Sequence, residues 1–238
     1  MGNPYFRFKQ FTVFHNLCAM KVGIDGVLLG AWAEVENAKR ILDIGSGSGL
    51  IALMLAQRNC NATIEAIDIE ASAIEQTKFN IENSPWKKRM SARNISLQNF
   101  AATTQEKYDL IVSNPPFFVD SLKTPAPERT NARHTDSLTH EELIVLSQSL
   151  LTQNGRLCII LPAKEGKSSK DFAEKAGLFC TKMASVFPKP NTEAKRLLLE
   201  FSLKKDKTEI SALTIETEIR HQYTPEFMRL AKDFYLKL

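Results

Sequence analysis

The sequence predicts an α/β fold in which a mostly parallel sheet carries helices on both faces. From about residue 40 onwards, short apolar strand patterns alternate with helical patterns, and such alternation builds a parallel sheet. Hydrophobic residues make up 43% of the 238-residue chain, which suits one large domain with a sizeable core. Near the end, two strand patterns flank a short basic turn, which predicts an antiparallel hairpin at the sheet edge.

The elements follow from apolar periodicity and from turn residues between apolar segments. The predicted strands are 41–44, 63–68, 90–96, 108–113, 156–161, 180–187, 196–204 and 211–218. The predicted helices are 50–57, 71–83, 138–152, 167–177 and 225–236. Because ligands of such sheets bind beyond the carboxyl ends of the strands, we expect Asp43, Asp68, Ser96 and Asn114 to converge at one edge.

We predict a single domain over 1–238, since no break in composition marks a second one. It divides into an N-terminal segment (1–39), a core (40–204) and a C-terminal strand and helix (205–238). The first ten residues lack an apolar signal core, and no apolar run could span a bilayer, so a cytoplasmic location is expected. The four cysteines are scattered and have no histidine at ligand spacing, which favours free thiols and no metal site.

A glycine-rich turn follows the first core strand. Glycines 45, 47 and 49 come directly after Asp43 and Ile44, and glycine permits tight turns and close approach of a ligand to the backbone. The acid beside the turn would repel a pyrophosphate, which disfavours a nicotinamide dinucleotide, but it suits a ligand that carries an ammonium group. The next strand ends at Asp68, where an acid can bind a ribose diol.

The sequence Asn114-Pro115-Pro116-Phe117 closes the strand at 108–113. Two successive prolines stiffen the turn and offer no backbone N–H groups. The Asn amide oxygen and a Pro carbonyl can accept both hydrogens of an exocyclic amino group, and the Phe ring can stack on a flat heterocycle. The alternative interpretation of the tetrapeptide alone is a proline-stiffened structural turn.

Taken in order, Asp43, the glycine turn, Asp68 and the Asn-Pro-Pro-Phe tetrapeptide resemble the class I, Rossmann-like, S-adenosylmethionine-dependent methyltransferases that modify amino groups. A finer resemblance covers nearly the whole chain and is strongest over 21–32. There the sequence is similar to the bacterial tRNA1(Val) (adenine-N6)-methyltransferases, which modify the adenine 3′ of the anticodon. This resemblance implies S-adenosylmethionine as cofactor, a valine tRNA as partner and a seven-stranded sheet with an antiparallel edge strand.

The resemblance also implies roles for individual residues. Asn114 and the carbonyl of Pro115 would hold the adenine amino group within the catalytic turn, which includes Pro116, and Phe117 would stack on the base. The implied cofactor-binding residues are Lys21, Asp25, Asp43, Gly45, Gly47, Gly49, Asp68, Ile69 and Ser96. Ser96 departs from the family pattern, which commonly has an Asp at this position contacting the cofactor's adenine, although a hydroxyl can still hydrogen-bond there.

Positive charge is unevenly distributed along the chain. Residues 164–207 carry eleven Lys and Arg against six Asp and Glu, and residues 78–93 carry five against one. Such stretches favour a polyanion such as RNA, although lysine-rich surfaces also serve solubility. A long polar loop at 119–137 follows the tetrapeptide, and we expect its Arg129 and Arg133 to bind substrate.

Two related activities share the tetrapeptide and remain open as alternatives. A protein-glutamine N5-methyltransferase would usually begin with a longer helical domain, and an rRNA guanine-N2 methyltransferase would usually carry a second domain. A non-catalytic RNA-binding factor that keeps the cofactor pocket is a third alternative, disfavoured by the intact tetrapeptide. The macromolecule that accepts methyl groups would separate these alternatives.

Overall fold

The computed structural model describes residues 3–18, 21–116 and 138–237. Its strands are Tyr5–Arg7 (β1), Thr12–Phe14 (β2), Arg40–Ile44 (β3), Thr63–Asp68 (β4), Met90–Asn94 (β5), Tyr108–Ser113 (β6), Leu151–Pro162 (β7), Phe179–Phe187 (β8), Arg196–Ser202 (β9) and Glu209–Thr214 (β10). Its α-helices are Ile24–Trp32 (α1), Leu50–Arg58 (α2), Ala71–Glu82 (α3), Leu97–Thr103 (α4), His140–Leu150 (α5), Ala163–Lys175 (α6) and Pro225–Ala231 (α7).

One sheet organises these elements. Its strand order is β10-β8-β9-β7-β6-β3-β4-β5, and β1 and β2 form a separate hairpin. Strand β9 runs antiparallel to both of its neighbours, while the other pairs in the sheet are parallel. Chain order reverses direction between β3 and β6, and this reversal opens a crevice at the carboxyl ends of the two strands.

The predicted fold class is confirmed, and the sheet has eight strands where the family resemblance implied seven. The hairpin of β8 and β9 forms as predicted, but β10 pairs in parallel with β8, so the hairpin does not end the sheet. Strand β7 begins at Leu151 rather than at residue 156 and therefore shortens α5. Strand β5 ends at Asn94 because Ser96 caps α4, a short helix that was not predicted.

Two apolar cores lie on opposite faces of the sheet. The first joins α1, α2, α7 and the N-terminal hairpin to side chains such as Ile41 of β3. The second joins α4, α5 and α6 to the alternate side chains, such as Leu42. Side chains alternate between faces along a strand, so the apolar run of β3 supplies both cores and holds its carboxyl end rigidly.

Helix α1 was not predicted, and it packs closely against α2 through two glycines. A Cβ atom on Gly30 would lie 2.8 Å from the Met54 sulfur, and one on Gly26 would lie 3.0 Å from Leu50 Cδ2. Only residues without a side chain allow the two backbones this separation. The contact places the start of α1 beside the start of α2, where the glycine turn ends.

Candidate active site

The candidate site lies at the crevice between β3 and β6. Ile44 pairs with Ser113 in the sheet, and the Ser113 hydroxyl donates to the Ile44 carbonyl at 2.8 Å. The glycine turn and Asn114 continue directly from these two residues. The structure therefore brings together the two segments that the sequence singled out.

The glycine turn depends on left-handed backbone conformations. Gly45, Gly47 and Gly49 have φ values of 71°, 56° and 77°, which are costly for residues with a Cβ atom. A Cβ on Gly45 or Gly47 would meet nothing within 4 Å. These two glycines thus border open space that a ligand can enter, whereas Gly49 packs against Thr77.

Asp43 lies beneath this turn and is fully buried. Its Oδ2 accepts a hydrogen bond from the Ala52 amide at 3.1 Å, but its Oδ1 has no partner among the described residues. Burial and then the charge of Asp68 raise the pKa of Asp43 to about 7, against the Ala52 hydrogen bond, which lowers it. An orphaned buried acceptor suits a cationic donor group.

Asp68 ties the end of β4 to the glycine turn. Its Oδ2 accepts from the Gly47 amide at 2.8 Å, and its Oδ1 accepts from the Glu70 amide at 2.9 Å. A carboxylate oxygen has further lone pairs for hydroxyl donors. Beside it, Ile69 is 49% exposed and offers an apolar surface to a flat ring.

Ser96 has a structural role that the sequence did not reveal. Its Oγ accepts from the Asn99 amide at 3.2 Å and caps α4. The hydroxyl hydrogen remains able to donate, and its contact with the cofactor stays a prediction.

At the end of β6, Asn114 presents an unpartnered acceptor. Its Oδ1 is buried and has no hydrogen-bond partner among the described residues. Pro115 is buried and Pro116 is exposed. The carbonyl of Pro116 interacts with the ring of His140 at the start of α5, so one of the two proline carbonyls is already bound.

His140 is a residue that sequence reasoning missed. Burial lowers the pKa of His140, while the charges of Glu141 and Glu165 and the hydrogen bond to Pro116 act in the opposite direction. The His140 ring ties the Asn-Pro-Pro turn to α5. The sequence did not reveal this contact because His140 is distant from the tetrapeptide along the chain.

The N-terminal segment passes close to the crevice. Burial, and then the charge of Asp68, raise the pKa of the Cys18 thiol to about 11, so Cys18 lies near the end of β4. Lys21 is exposed, and Asp25 accepts from Arg196 Nε at 2.9 Å. The role of Lys21 and Asp25 toward a cofactor stays a prediction. Phe117, Arg129 and Arg133 lie outside the described residues.

The basic stretch 78–93 is largely engaged within the fold. Arg89 donates to the carbonyls of Ala56 and Ala62, and Arg93 pairs with Glu65 at 3.2 Å. In the other stretch, Lys164 and Lys195 are exposed and flank the carboxyl end of β7, where the Ala163 amide donates to the Lys195 carbonyl. Lys164 and Lys195 therefore lie at the carboxyl edge of the sheet, as Asn114 does.

Helices of membrane-spanning length and apolarity do not occur in the described parts of the chain. Within the same residues, no cluster of three or more His, Cys, Asp or Glu side chains could hold a metal ion.

The fold and the crevice together define a class I methyltransferase. Residues 21–182 match the family model described as "Methyltransferase small domain". The structure of a predicted O-methyltransferase from Agrobacterium tumefaciens is 18% identical and has a TM-score of 0.66 over 88% of this chain and 96% of that chain. This likeness shows the shared fold.

Closer relatives identify the family. A protein of Parabacteroides distasonis is 50% identical over 239 residues, and one of Phocaeicola vulgatus is 49% identical over 239 residues. Each alignment covers 100% of both chains, and both proteins are named tRNA1(Val) (adenine(37)-N6)-methyltransferase. The chain belongs to this family, which confirms the resemblance seen in the sequence. Its methyl donor is S-adenosylmethionine, as predicted.

Proposed function

We propose that this protein transfers a methyl group from S-adenosylmethionine to N6 of adenine 37, just 3′ of the anticodon, in tRNA1(Val). The observation that carries the proposal is the buried, unpartnered Oδ1 of Asn114 in a proline-stiffened turn beside the glycine turn. The names of the full-length relatives supply the substrate. The reaction would take place in the cytoplasm, the compartment that holds tRNA.

The described residues fit S-adenosylmethionine. The open space beside Gly45 and Gly47 admits its methionine half close to the backbone, and the orphaned Oδ1 of Asp43 suits its ammonium group. Asp68 would bind the ribose diol, with Ile69 and Ser96 near the adenine. Bound there, the cofactor supplies a methyl group on a positively charged sulfur, which is a good leaving group.

Asn114 and Pro115 would prepare the acceptor. The N6 lone pair of adenine is delocalised into the ring and is a poor nucleophile. When the Asn114 Oδ1 and the Pro115 carbonyl accept the two N6 hydrogens, the nitrogen becomes more pyramidal and its lone pair becomes available. Alignment of the reactants and exclusion of water then provide most of the acceleration. The methylated ammonium is acidic and loses its proton to water, so this mechanism needs no strong base.

The target base lies in an anticodon loop, where bases are accessible and cost little to extrude from the stack. We propose that Phe117 stacks on the extruded base and that Arg129 and Arg133 hold the surrounding phosphates. Exposed lysines at the carboxyl end of β7, Lys164 and Lys195, would extend this positive surface. We further propose that the whole of 1–238 acts as one methyltransferase domain whose segment 1–39 closes the cofactor site.

The test is methyl transfer to defined acceptors. The protein is incubated with labelled S-adenosylmethionine and one of two tRNA1(Val) transcripts, which differ only in carrying adenine or guanine at position 37. We expect N6-methyladenosine, identified by nucleoside mass spectrometry, in the adenine transcript alone. Methylation of a release-factor glutamine or of an rRNA guanine, with no modified adenosine in tRNA, would refute the proposal.

A further inference from the structure

Three polar side chains occupy the buried face of α3, where apolar ones would be expected. Gln76, Thr77 and Asn80 are each at most 1% exposed. Burying amide and hydroxyl groups is costly unless they are hydrogen-bonded, so their partners explain why they are there. Those partners lie in two segments distant in sequence, the glycine turn and the N-terminal segment.

Asn80 bonds both segments with one side chain. Its Oδ1 accepts from the Phe14 amide at 2.9 Å, and its Nδ2 donates to the Phe14 carbonyl and to the Ser48 carbonyl, each at 2.8 Å. Its neighbours bond one segment each. Gln76 accepts from the Leu17 amide at 2.9 Å, and Thr77 donates to the Gly47 carbonyl at 2.9 Å.

These bonds direct the chain toward the crevice. Phe14 lies near Asn80 and Leu17 lies near Gln76, so the N-terminal segment runs along α3 from its carboxyl end toward its amino end. Cys18 then lies near Asp68. Burial is the larger cause of the raised pKa of the Cys18 thiol, and the charge of Asp68 is the second. The segment continues to α1, whose Gly26 contacts Leu50 directly after the glycine turn. Residues 14–18 therefore approach the mouth of the site along a path that α3 determines.

We propose that Asn80 is a positioning residue that couples the N-terminal segment to the glycine turn, so that binding of S-adenosylmethionine to the turn and docking of residues 14–18 support each other. The inference rests on the proposed placement of the cofactor at that turn. Asn80 does not touch the reacting atoms. Its contribution is to the affinity for the cofactor, because a ligand held by both segments benefits when their relative position is already set.

The most selective variant is Asn80→Asp, which keeps the shape and the acceptor for Phe14. It replaces the Nδ2 donor with an oxygen that faces the carbonyls of Phe14 and Ser48. We expect the Kd for S-adenosylmethionine, measured by calorimetry, to rise roughly tenfold or more, the scale of a disrupted buried hydrogen bond. The kcat for tRNA at saturating cofactor should stay within about threefold of wild type, since only binding shared by the ground and transition states is lost.

The chain offers a matched control. Asn83→Asp makes the same chemical change three residues further along, at an exposed position where the side chain donates to the Phe79 carbonyl. It should leave the Kd unchanged. Cys18 provides a second readout in a Cys60→Ser background, since Cys60 is the exposed cysteine and Cys158 and Cys180 are buried. Alkylation of Cys18 should accelerate in Asn80→Asp and stay at the parental rate in Asn83→Asp.

Hydrogen exchange on the wild-type protein covers the case in which Asn80→Asp does not fold. Added S-adenosylmethionine should slow exchange at the Phe14 and Leu17 amides. It should not affect the Asn61 and Ala62 amides, which also donate to an Asn side chain, that of Asn59, but at the opposite edge of the sheet.

Two failures are distinguishable in these experiments. If the cofactor protects the Gly45 and Ser46 amides but leaves Phe14 and Leu17 unaffected, or if folded Asn80→Asp binds the cofactor as wild type does, the coupling is refuted. If the cofactor binds without protecting Gly45 and Ser46, its proposed site is refuted instead.

Discussion

Four polar side chains, two near each edge of the central sheet, have their acceptor oxygens bonded in opposite ways. At the amino ends of the strands, Glu65 accepts from the Tyr108 hydroxyl at 2.6 Å and pairs with Arg93 at 3.2 Å. Asp109 accepts from the Lys39 and Arg40 amides and from the Thr152 hydroxyl. At the carboxyl ends, Asp43 and Asn114 each keep one buried oxygen without a partner among the described residues.

We propose that the difference separates structural from functional polar groups. A buried acceptor without a donor costs folding free energy of about 1–3 kcal/mol. Glu65 and Asp109 avoid this cost because both oxygens of each carboxylate are paired, which stabilises the fold. Asp43 and Asn114 retain the cost, and the donors of a ligand can remove it. The predictions below test this assignment, beginning with the largest expected effect.

The largest effect is expected for Asn114→Ala. This change removes the acceptor that would hold the adenine amino group in the transition state, so kcat should fall by roughly 100- to 1,000-fold. The Kd for S-adenosylmethionine should remain near the wild-type value, because in the proposed reaction Asn114 contacts the methyl acceptor. Single-turnover methylation of tRNA and calorimetry measure the two quantities. Normal turnover by Asn114→Ala would mean that the tetrapeptide is only a structural turn.

Phe117→Ala should have the next largest effect. Stacking of a base on an aromatic ring contributes about 1–3 kcal/mol, so we expect a corresponding rise in the KM for tRNA, with cofactor affinity unchanged.

The combined change of Arg129 and Arg133 to Ala should also raise the KM for tRNA. Added salt should weaken tRNA binding by the wild type and by this double variant. A KM that does not respond to either change would place the tRNA on another surface.

Asp43→Asn tests the orphaned acceptor beneath the glycine turn. The backbone N–H of Ala52 would still donate to the side-chain oxygen of the new Asn, which therefore takes the place of Oδ2. The side-chain NH2 group then takes the place of the unpartnered Oδ1 and presents a donor to the cofactor's ammonium. We expect the affinity for S-adenosylmethionine to fall roughly tenfold at pH 8, the scale of one hydrogen bond to a charged group. Wild-type affinity should rise between pH 6 and pH 8 as Asp43 ionises, since its pKa is about 7, and the variant should lose this dependence.

The stability of the cofactor-free protein should respond with the opposite sign. The pKa of Asp43 is raised from 3.8 to about 7 on folding, so the unfolded chain ionises first as pH increases. Asp43 therefore lowers the free energy of unfolding progressively from about pH 4 to pH 7. Asp43→Asn should consequently unfold at a higher temperature than wild type at pH 8. Equal affinities and melting temperatures at pH 8 would show that Asp43 is a structural acid like Asp109.

Sequence reasoning singled out the groups whose proposed role depends on local order along the chain. Asp43, Asp68 and Asn114 each end an apolar strand, and parallel strands bring such ends to one edge. Asn80 and His140 were not found, because their roles depend on contacts with Phe14, Ser48 and Pro116 that no local pattern encodes. The polar spacing of Gln76, Thr77 and Asn80 on an otherwise apolar helix face was the available signal. Helix α1 was missed because its sequence is apolar almost throughout.

The smallest effect on activity is expected at the amino edge, for Tyr108→Phe. This change removes the hydroxyl that donates to Glu65 but keeps the buried ring. Glu65 retains Arg93 as a partner, so the free energy of unfolding should fall by only about 1 kcal/mol, the net value of one hydrogen bond. The Kd for S-adenosylmethionine and the kcat for tRNA should match wild type, since Tyr108 begins the strand that Asn114 follows and lies at its opposite end. Chemical denaturation measures the first quantity and the assays above measure the others. If Tyr108→Phe loses more activity than its lower stability explains, polar groups at the amino edge also serve the reaction. The proposed division into structural groups at the amino edge and functional groups at the carboxyl edge would then be wrong.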